Sequence, residues 1–210
     1  MNIAVDTEGR RHRLKAATNA THERLDARIM ASGAFSSRER YGQFVLVQHG
    51  FHRDIDALYS NAVLDGLLPD LAGRRRFGQI CQDLDDLGLH APAADAPPAF
   101  TGTDADLPTA LGWLYVAEGS NLGAAFLLVA AERLGLSETF GARYLAPAPG
   151  GRGLHWRTFT AALDAISLTA AEDDRVIAGA DAAFARVNAL VEQRMSPATD
   201  AANKQSRETV

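Results

Sequence analysis

His22 and Asp26 have the types and spacing of a metal ligand and its hydrogen-bond partner, and Lys15 lies two turns before His22. In a helix they share one face, because Asp26 follows His22 by one turn and Lys15 precedes it by two. The Asp26 carboxylate could accept a hydrogen bond from one ring nitrogen of His22 and leave the other as a more basic ligand. Lys15 would lie roughly 10 Å from His22 along the helix axis. The alternative is a histidine that only packs in the core.

A second candidate site lies in the apolar stretch 111–128, which has the length and composition of a buried helix. Its middle carries Gly119 and Gly123, and each glycine costs about 1 kcal/mol relative to alanine in a helix interior. Together with Tyr115 they form one stripe, so two turns of that face have no side chain. Something flat could approach this backbone closely. Tight packing against a neighbouring helix explains the same pattern equally well.

The elements that must position these residues are predicted to be helices throughout. Apolar residues recur at spacings of three and four, no strand pattern is visible, and Ser37 and Gly135 are suited to helix ends. We therefore predict an all-α domain of about eight helices. The longer predicted helices cover 10–30, 38–64, 74–87, 106–134, 155–166 and 170–194, with short helical turns at 67–71 and 137–140 and a loop at 90–108.

Two of these helices carry polar residues on the face that should point inward. His22 lies on the apolar stripe of the first helix, so we expect it to face the core. Gln48 and His52, one turn apart, interrupt the apolar stripe of the second. That stripe consists otherwise of Tyr41, Phe44, Val45, Phe51, Ile55, Leu58 and Tyr59.

Composition limits the class of protein. The chain has 210 residues and 47% hydrophobic content, enough for one domain over 1–195, and the polar residues 196–210 are expected to be a disordered tail. A net charge of -5 argues against a nucleic-acid partner. The single cysteine, Cys81, allows no internal disulfide and fits a cytoplasmic protein. No signal-type run and no span of about 20 apolar residues is visible, so we expect no membrane span.

Four long strings of the sequence resemble the bacterial, biliverdin-producing heme oxygenase family. They are LKAATNATHERLD, QHGFHRDIDALY, GWLYVAEGSNLGAAFLL and GARYLAPAPGGRGLHWRTF. The resemblance implies a single-domain bundle in which heme is sandwiched between a proximal helix and a distal helix bent at glycines. On this resemblance His22 is the axial iron ligand, with Asp26 beside it, and Gly119 and Gly123 let the distal backbone lie over the heme face.

The resemblance also implies roles for other residues. Gln48 and His52 match polar positions on the distal side, where they would anchor ordered water. Lys15 and Tyr115 match positions that contact the heme propionates and so fix the rotation of heme in its plane; because both are present, we predict opening at the α-meso carbon. Val129 departs from the pattern, since we expect a basic residue there.

Further residues receive no catalytic role. We interpret Arg11 and Arg13 as ordinary solvated charges rather than as part of a docking surface for an acidic electron donor. Packing and loop anchoring are expected for Arg152, His155 and Trp156.

The function implied is cleavage of heme, which is both substrate and cofactor, with O2 to biliverdin, carbon monoxide and ferrous iron. No flavin or nicotinamide motif is visible, so a separate reductase or ferredoxin must supply the electrons. We expect a monomer. The alternative is a non-catalytic heme-binding or heme-transfer protein on the same scaffold. A helical di-iron carboxylate protein would need Glu-x-x-His pairs, and the sequence contains none.

Overall fold

The computed structural model describes residues 9–93, 96–101 and 105–195, and the regular structure there is helical. Within these ranges the pairings of Ser137 with Phe140 and Gly141 are isolated bridges, and no strand forms. The predicted all-α fold is confirmed, and seven α-helices come close to the predicted eight. They are α1 (Arg10–Ala31), α2 (Arg38–Ile55), α3 (Ala62–Leu67), α4 (Phe77–Asp86), α5 (Leu107–Glu132), α6 (Arg152–Ala165) and α7 (Ala170–Arg194), joined by 3-10 helices at Asp56–Ser60, Ala72–Arg74 and Arg143–Leu145.

Capping side chains set the main helix boundaries. The Ser37 hydroxyl accepts a hydrogen bond from the backbone N–H three residues later at the start of α2, as predicted. Asp106 makes the equivalent bond at the start of α5. At the start of α7, Thr169 and Glu172 form a capping box in which each side chain bonds the other's backbone N–H. Gly135 adopts a φ of 74° just after α5, a conformation that favours glycine and ends the helix.

Three predicted helical segments are wrong. The helical turn expected over 67–71 falls in the bend between α3, which ends at Leu67, and the 3-10 helix that begins at Ala72. The helix expected over 38–64 ends at Ile55, continues as a 3-10 helix and restarts after Asn61. The Asn61 side chain accepts hydrogen bonds from two backbone N–H groups that follow it, so it caps a separate helix. The helical turn expected at 137–140 is instead closed by backbone hydrogen bonds in both directions between its first and last residues.

Buried apolar side chains from all seven α-helices form a single core cluster. The apolar stripe predicted on the second helix belongs to this cluster in full. The prediction of one domain over 1–195 includes residues 1–8, and the predicted disordered tail is 196–210. Residues 1–8 and 196–210 lie outside the described part of the chain, so both statements stay predictions.

Helix α7 packs against three other helices, α1, α2 and α5. It approaches α5 so closely that glycine is required on both sides of the crossing. A Cβ added to Gly112 would lie 2.2 Å from the carbonyl oxygen of Val176, and one added to Gly179 would lie 2.5 Å from that of Thr109. Heavy atoms in ordinary contact are about 3.5 Å apart, so neither position could carry a side chain without separating the helices.

The first turn of α1 is tied to the ends of two other helices. Arg10, which is 7% exposed, lies 2.5 Å from Asp173 in α7 and donates to carbonyl oxygens at the end of α6. Arg13 also lies 2.5 Å from Asp173, and Arg11 lies 3.4 Å from Asp164 in α6. Arg11, which is 44% exposed, remains a largely solvated charge, as interpreted. The interpretation is wrong for Arg13, which shares the Asp173 carboxylate with the buried Arg10.

Length and composition alone would let one described helix, α5, cross a membrane, with a mean hydropathy of 1.4 over its most apolar window. This is weak support for a span, because the core helix of a soluble protein satisfies the same criteria. The half of α5 from Ala110 to Glu118 is buried in the protein. The absence of a membrane span stays a prediction.

Candidate functional site

The middle of α5 presents a bare backbone surface. A Cβ added to Gly123 would meet no atom within 4 Å, and one added to Gly119 would meet only ring carbons of Trp156, at 3.6 and 3.7 Å. The alternative that glycine serves close helix packing therefore fails at Gly123 and belongs to Gly112 instead. Phe126, on the same face two turns after Gly119, is 82% exposed. This face of α5 is apolar, accessible and free of side chains over two turns.

His22 lies on the surface of α1, and the expectation that it faces the core is wrong. Its side chain is 55% exposed, whereas Leu14, Thr18 and Leu25 on the same stripe are buried. Periodicity places a residue on a helix face but does not say how far the neighbouring helix extends over that face. At this level the neighbour is α7, whose Phe184 meets the His22 ring edge-on at a centroid distance of 5.9 Å. The imidazole is thus supported from one side and accessible from outside.

Asp26 and Lys15 share the exposed face of α1 with His22. An Asp26 carboxylate oxygen lies 3.5 Å from Nδ1 of His22, a contact looser than a formed hydrogen bond. This arrangement directs Nδ1 towards the carboxylate and leaves Nε2 as the nitrogen for a ligand. Lys15 is exposed two turns nearer the N-terminus. The three residues therefore share one face of α1, as their spacing predicted, but that face is exposed rather than turned towards the core.

Tyr115 precedes Gly119 by one turn of α5 and is only 9% exposed. Its ring contacts that of Trp156, with centroids 5.5 Å apart. Burial raises the pKa of the Tyr115 hydroxyl, so the phenol stays protonated near neutral pH and can donate a hydrogen bond.

His52 in α2 is a buried histidine that stays neutral at neutral pH. It is 4% exposed, and burial, assisted by the charge of Arg76, lowers its pKa to about 4. Among the described residues, neither His52 Nδ1 nor Arg76 Nε has a hydrogen-bond partner. Gln48, one turn earlier, is half-buried. Buried polar atoms without protein partners are the pattern expected where ordered water completes the hydrogen bonding.

A buried charged network, which was not predicted from the sequence, lies beside the bare surface. One oxygen of the Glu118 carboxylate accepts a hydrogen bond from Arg74 at 2.9 Å and lies 3.2 Å from Nε2 of His155. The other oxygen accepts from the Tyr59 hydroxyl at 3.4 Å. A signal was available, because Glu118 is the single charged residue of the apolar stretch 111–128 and a charge inside a buried helix requires a partner.

Arg74 connects this network to α6. Its guanidinium also donates to the Thr158 hydroxyl at 3.0 Å and to the backbone carbonyl of His155 at 3.2 Å, and it lies over the Phe159 ring. Its side chain is 2% exposed and that of Glu118 is 1% exposed. The buried ion pair therefore fixes α6 and α5 relative to each other.

The available ligands fit a heme better than a bare metal ion. In the part of the chain that the structure describes, no three His, Cys, Asp or Glu side chains come together as a metal site. One histidine is too few to hold a free ion, but it is sufficient for iron already bound by four porphyrin nitrogens. The accessible His22 and the bare face of α5 thus match the requirements of a flat, iron-bearing ligand.

Comparisons with known proteins agree with this interpretation. The family model described as Heme oxygenase matches residues 10–193. Heme oxygenase PigA from Pseudomonas aeruginosa is 42% identical over 184 residues, which cover 88% of this chain and 92% of the relative.

Two solved structures are also similar. The NO- and CO-bound heme oxygenase from Neisseria meningitidis has a TM-score of 0.83 and 40% identity, covering 92% of this chain and 95% of that one. Heme oxygenase 2 from Chlamydomonas reinhardtii, solved without heme, has a TM-score of 0.70 at 17% identity over 91% of this chain and 100% of that one, which supports the fold alone. By its family match, its sequence identity and its fold, this chain belongs to the heme oxygenase family of heme-degrading oxidoreductases.

Proposed function

We propose that the protein opens protoheme with O2 and external electrons, and releases biliverdin, carbon monoxide and ferrous iron. The family supplies heme as the substrate and the need for a reductant. The products, the α isomer and the roles of individual residues are the proposal. Bound heme would supply the iron at which oxygen is activated, and the protein would hold and orient it.

The observation that carries the proposal is that the accessible His22 and helix α5, which bears the bare surface, both contact α7. His22 rests on Phe184, and α5 crosses α7 at Gly179, five residues or about 7.5 Å earlier. The bare surface at Gly119 begins two turns after the crossing residue Gly112. This placement supports the proposal that His22 would hold the heme iron and that the α5 backbone at Gly119 and Gly123 would lie against the heme.

The absence of side chains at Gly119 and Gly123 would help the reaction as well as the binding of heme. A backbone without side chains would leave space over the heme for a small molecule such as O2. The acidic residue nearest in sequence, Glu118, directs its carboxylate to Arg74 in the interior, so it would not place a proton donor in that space.

Lys15 and Tyr115 support a single orientation of the substrate. A lysine ammonium group and a protonated tyrosine hydroxyl are both donors suited to a propionate carboxylate. Holding the propionates fixes the rotation of heme in its plane and decides which meso carbon lies beneath the oxygen. With both residues present, we propose cleavage at the α-meso position.

Gln48 and His52 would anchor ordered water on the distal side. Because its pKa of about 4 keeps His52 neutral, the imidazole can donate from one nitrogen and accept at the other. Such a residue can relay hydrogen bonds through water without placing a charge near the iron.

The remaining proposals concern partners and location. We propose that a separate ferredoxin or flavoprotein reductase supplies the electrons, and that the protein acts as a cytoplasmic monomer without a nucleic-acid partner. The formal charge of -5 supports the last point.

Reconstitution with hemin tests the proposed function. The complex is reduced with a ferredoxin system under air, the Soret band is followed, and the extracted pigment is separated by chromatography. Loss of the Soret band with release of one biliverdin isomer is the expected result. A ferrous-oxy complex that only autoxidises, with heme recovered intact, would instead show a heme-binding or heme-transfer protein.

A further inference from the structure

Two adjacent side chains of α6, His155 and Trp156, contact consecutive residues of α5. Nε2 of His155 lies 3.2 Å from the Glu118 carboxylate. The edge of the Trp156 ring lies in contact distance of the backbone position of Gly119. Because the two residues share one turn of α6, any shift of α6 along α5 would move both contacts together.

The Trp156 ring also packs against one side of the Tyr115 ring. Its ring centroid lies 5.5 Å from that of Tyr115 and 5.9 Å from that of Phe159, on which it stacks. Trp156 is therefore held by Phe159 and in turn limits the positions open to Tyr115. The Tyr115 hydroxyl can direct a propionate only if its ring is held in place.

The buried ion pair behind this cluster resists movement of α6. Arg74 binds Glu118, the Thr158 hydroxyl and the His155 carbonyl at once, so the guanidinium bridges α5 and α6. Separating the helices would leave a buried charge without its partner, which is costly.

We propose that Glu118 and His155 are positioning residues for heme, acting through Trp156. They set α6 against α5 so that Trp156 fixes Tyr115 and the Gly119 backbone, and thereby select one orientation of heme. Neither residue is placed to touch the substrate. This inference rests on the proposed function.

His155→Gln is the first variant to test, because it removes the imidazole next to Glu118 while leaving the Arg74 ion pair intact. Trp156→Phe is the second, because it weakens the contact with Tyr115 without altering any buried charge. Arg157→Gln is the matched control, since Arg157 is the exposed next residue of α6. Each protein is loaded with ferric heme and its heme-methyl resonances are recorded by NMR, a measurement independent of turnover.

We expect His155→Gln and Trp156→Phe to change the ratio of heme orientations by roughly tenfold, and Arg157→Gln to leave it as in the wild type. The same two variants should release a mixture of biliverdin isomers. A merely structural role would lower stability in His155→Gln without altering either ratio.

Wild-type ratios in both variants, when they are folded and loaded with heme, would overturn the inference. If His155→Gln does not fold, Trp156→Phe alone decides. If the wild type binds heme but releases no biliverdin, the proposed function fails while the NMR comparison still decides the positioning role. A wild type that does not bind heme would overturn both.

Discussion

The carboxylate of Glu118 lies 2.9 Å from the guanidinium of Arg74 where neither side chain is more than 2% exposed. The next residue of α5, Gly119, begins the bare surface. Glu118, whose buried charge needs a partner, and Gly119, where the surface carries no side chain, are thus consecutive residues. The Glu118–Arg74 ion pair anchors α5 at the point where the helix passes from the interior to the surface.

Breaking this ion pair from one side should be more destabilising than removing it entirely. Glu118→Leu leaves Arg74 buried and unpaired, so we expect the free energy of unfolding to fall by about 3–5 kcal/mol. The double variant Glu118→Leu with Arg74→Met removes both charges and should recover part of that loss. Urea denaturation of the heme-free proteins, followed by circular dichroism, measures the difference. Equal losses in the single and double variants would contradict the interpretation.

His22→Ala should lose the axial ligand without harming the fold. His22 is 55% exposed, so its removal costs little packing, and we expect stability within about 0.5 kcal/mol of the wild type. The ferric complex should lose the absorption spectrum of histidine-ligated heme and turnover should cease, and added imidazole should restore the spectrum. His12→Ala, at another exposed position of α1, is the control. A variant with wild-type spectra would show that the proximal ligand lies elsewhere.

Gly123→Ala should make the protein more stable and less active. The new methyl group would meet no protein atom within 4 Å, so the helix gains up to about 1 kcal/mol from the higher helix propensity of alanine. The same methyl group would occupy space that the proposed function assigns to heme and oxygen. We expect roughly a tenfold or greater loss of turnover, equivalent to about 1.4 kcal/mol.

Gly78→Ala provides the control for this variant. Gly78 lies in the first turn of α4, and a Cβ there would also meet no atom within 4 Å. This variant should keep full turnover. If Gly123→Ala did the same, the bare face of α5 would not be the heme surface.

His52 should make the protein sensitive to mild acid. Its pKa falls from an ordinary value of 6.5 to about 4 in the fold, so the unfolded chain binds the proton more tightly. The stabilisation is therefore complete above about pH 6.5 and is lost as the pH falls towards 4, by about 3 kcal/mol in total. His52→Gln should reduce the slope of stability against pH in this window, measured by urea denaturation at half-unit steps. An unchanged slope would mean that other groups account for the acid sensitivity.

Sequence patterns predicted α1, α5 and α7 to within a few residues, because capping residues and apolar periodicity are local properties. They failed between 55 and 62, where the apolar stripe continues although Asn61 starts a new helix. They also predicted a buried His22, since periodicity identifies a face but not the end of the helix that covers it.

The buried network around Glu118 shows the other limit of sequence reasoning. Its partners come from residues 59, 74 and 155, which no local pattern connects. A charged residue in an apolar helix indicated that a partner was needed. The identity of the three partners depends on how α6 and the two 3-10 helices at Asp56–Ser60 and Ala72–Arg74 pack around α5.

Helix α5 is continuous, yet its two halves are unequal. Every residue from Ala110 to Glu118 is buried, whereas over 119–132 only Ala124 and Ala131 are. Local opening is easiest where few buried contacts must be broken. Amide hydrogens of the second half should therefore exchange with solvent through local fluctuations. Those of the first half should exchange only when the whole protein unfolds. The segment proposed to cover heme is thus the adaptable half of a helix whose other half is held rigid.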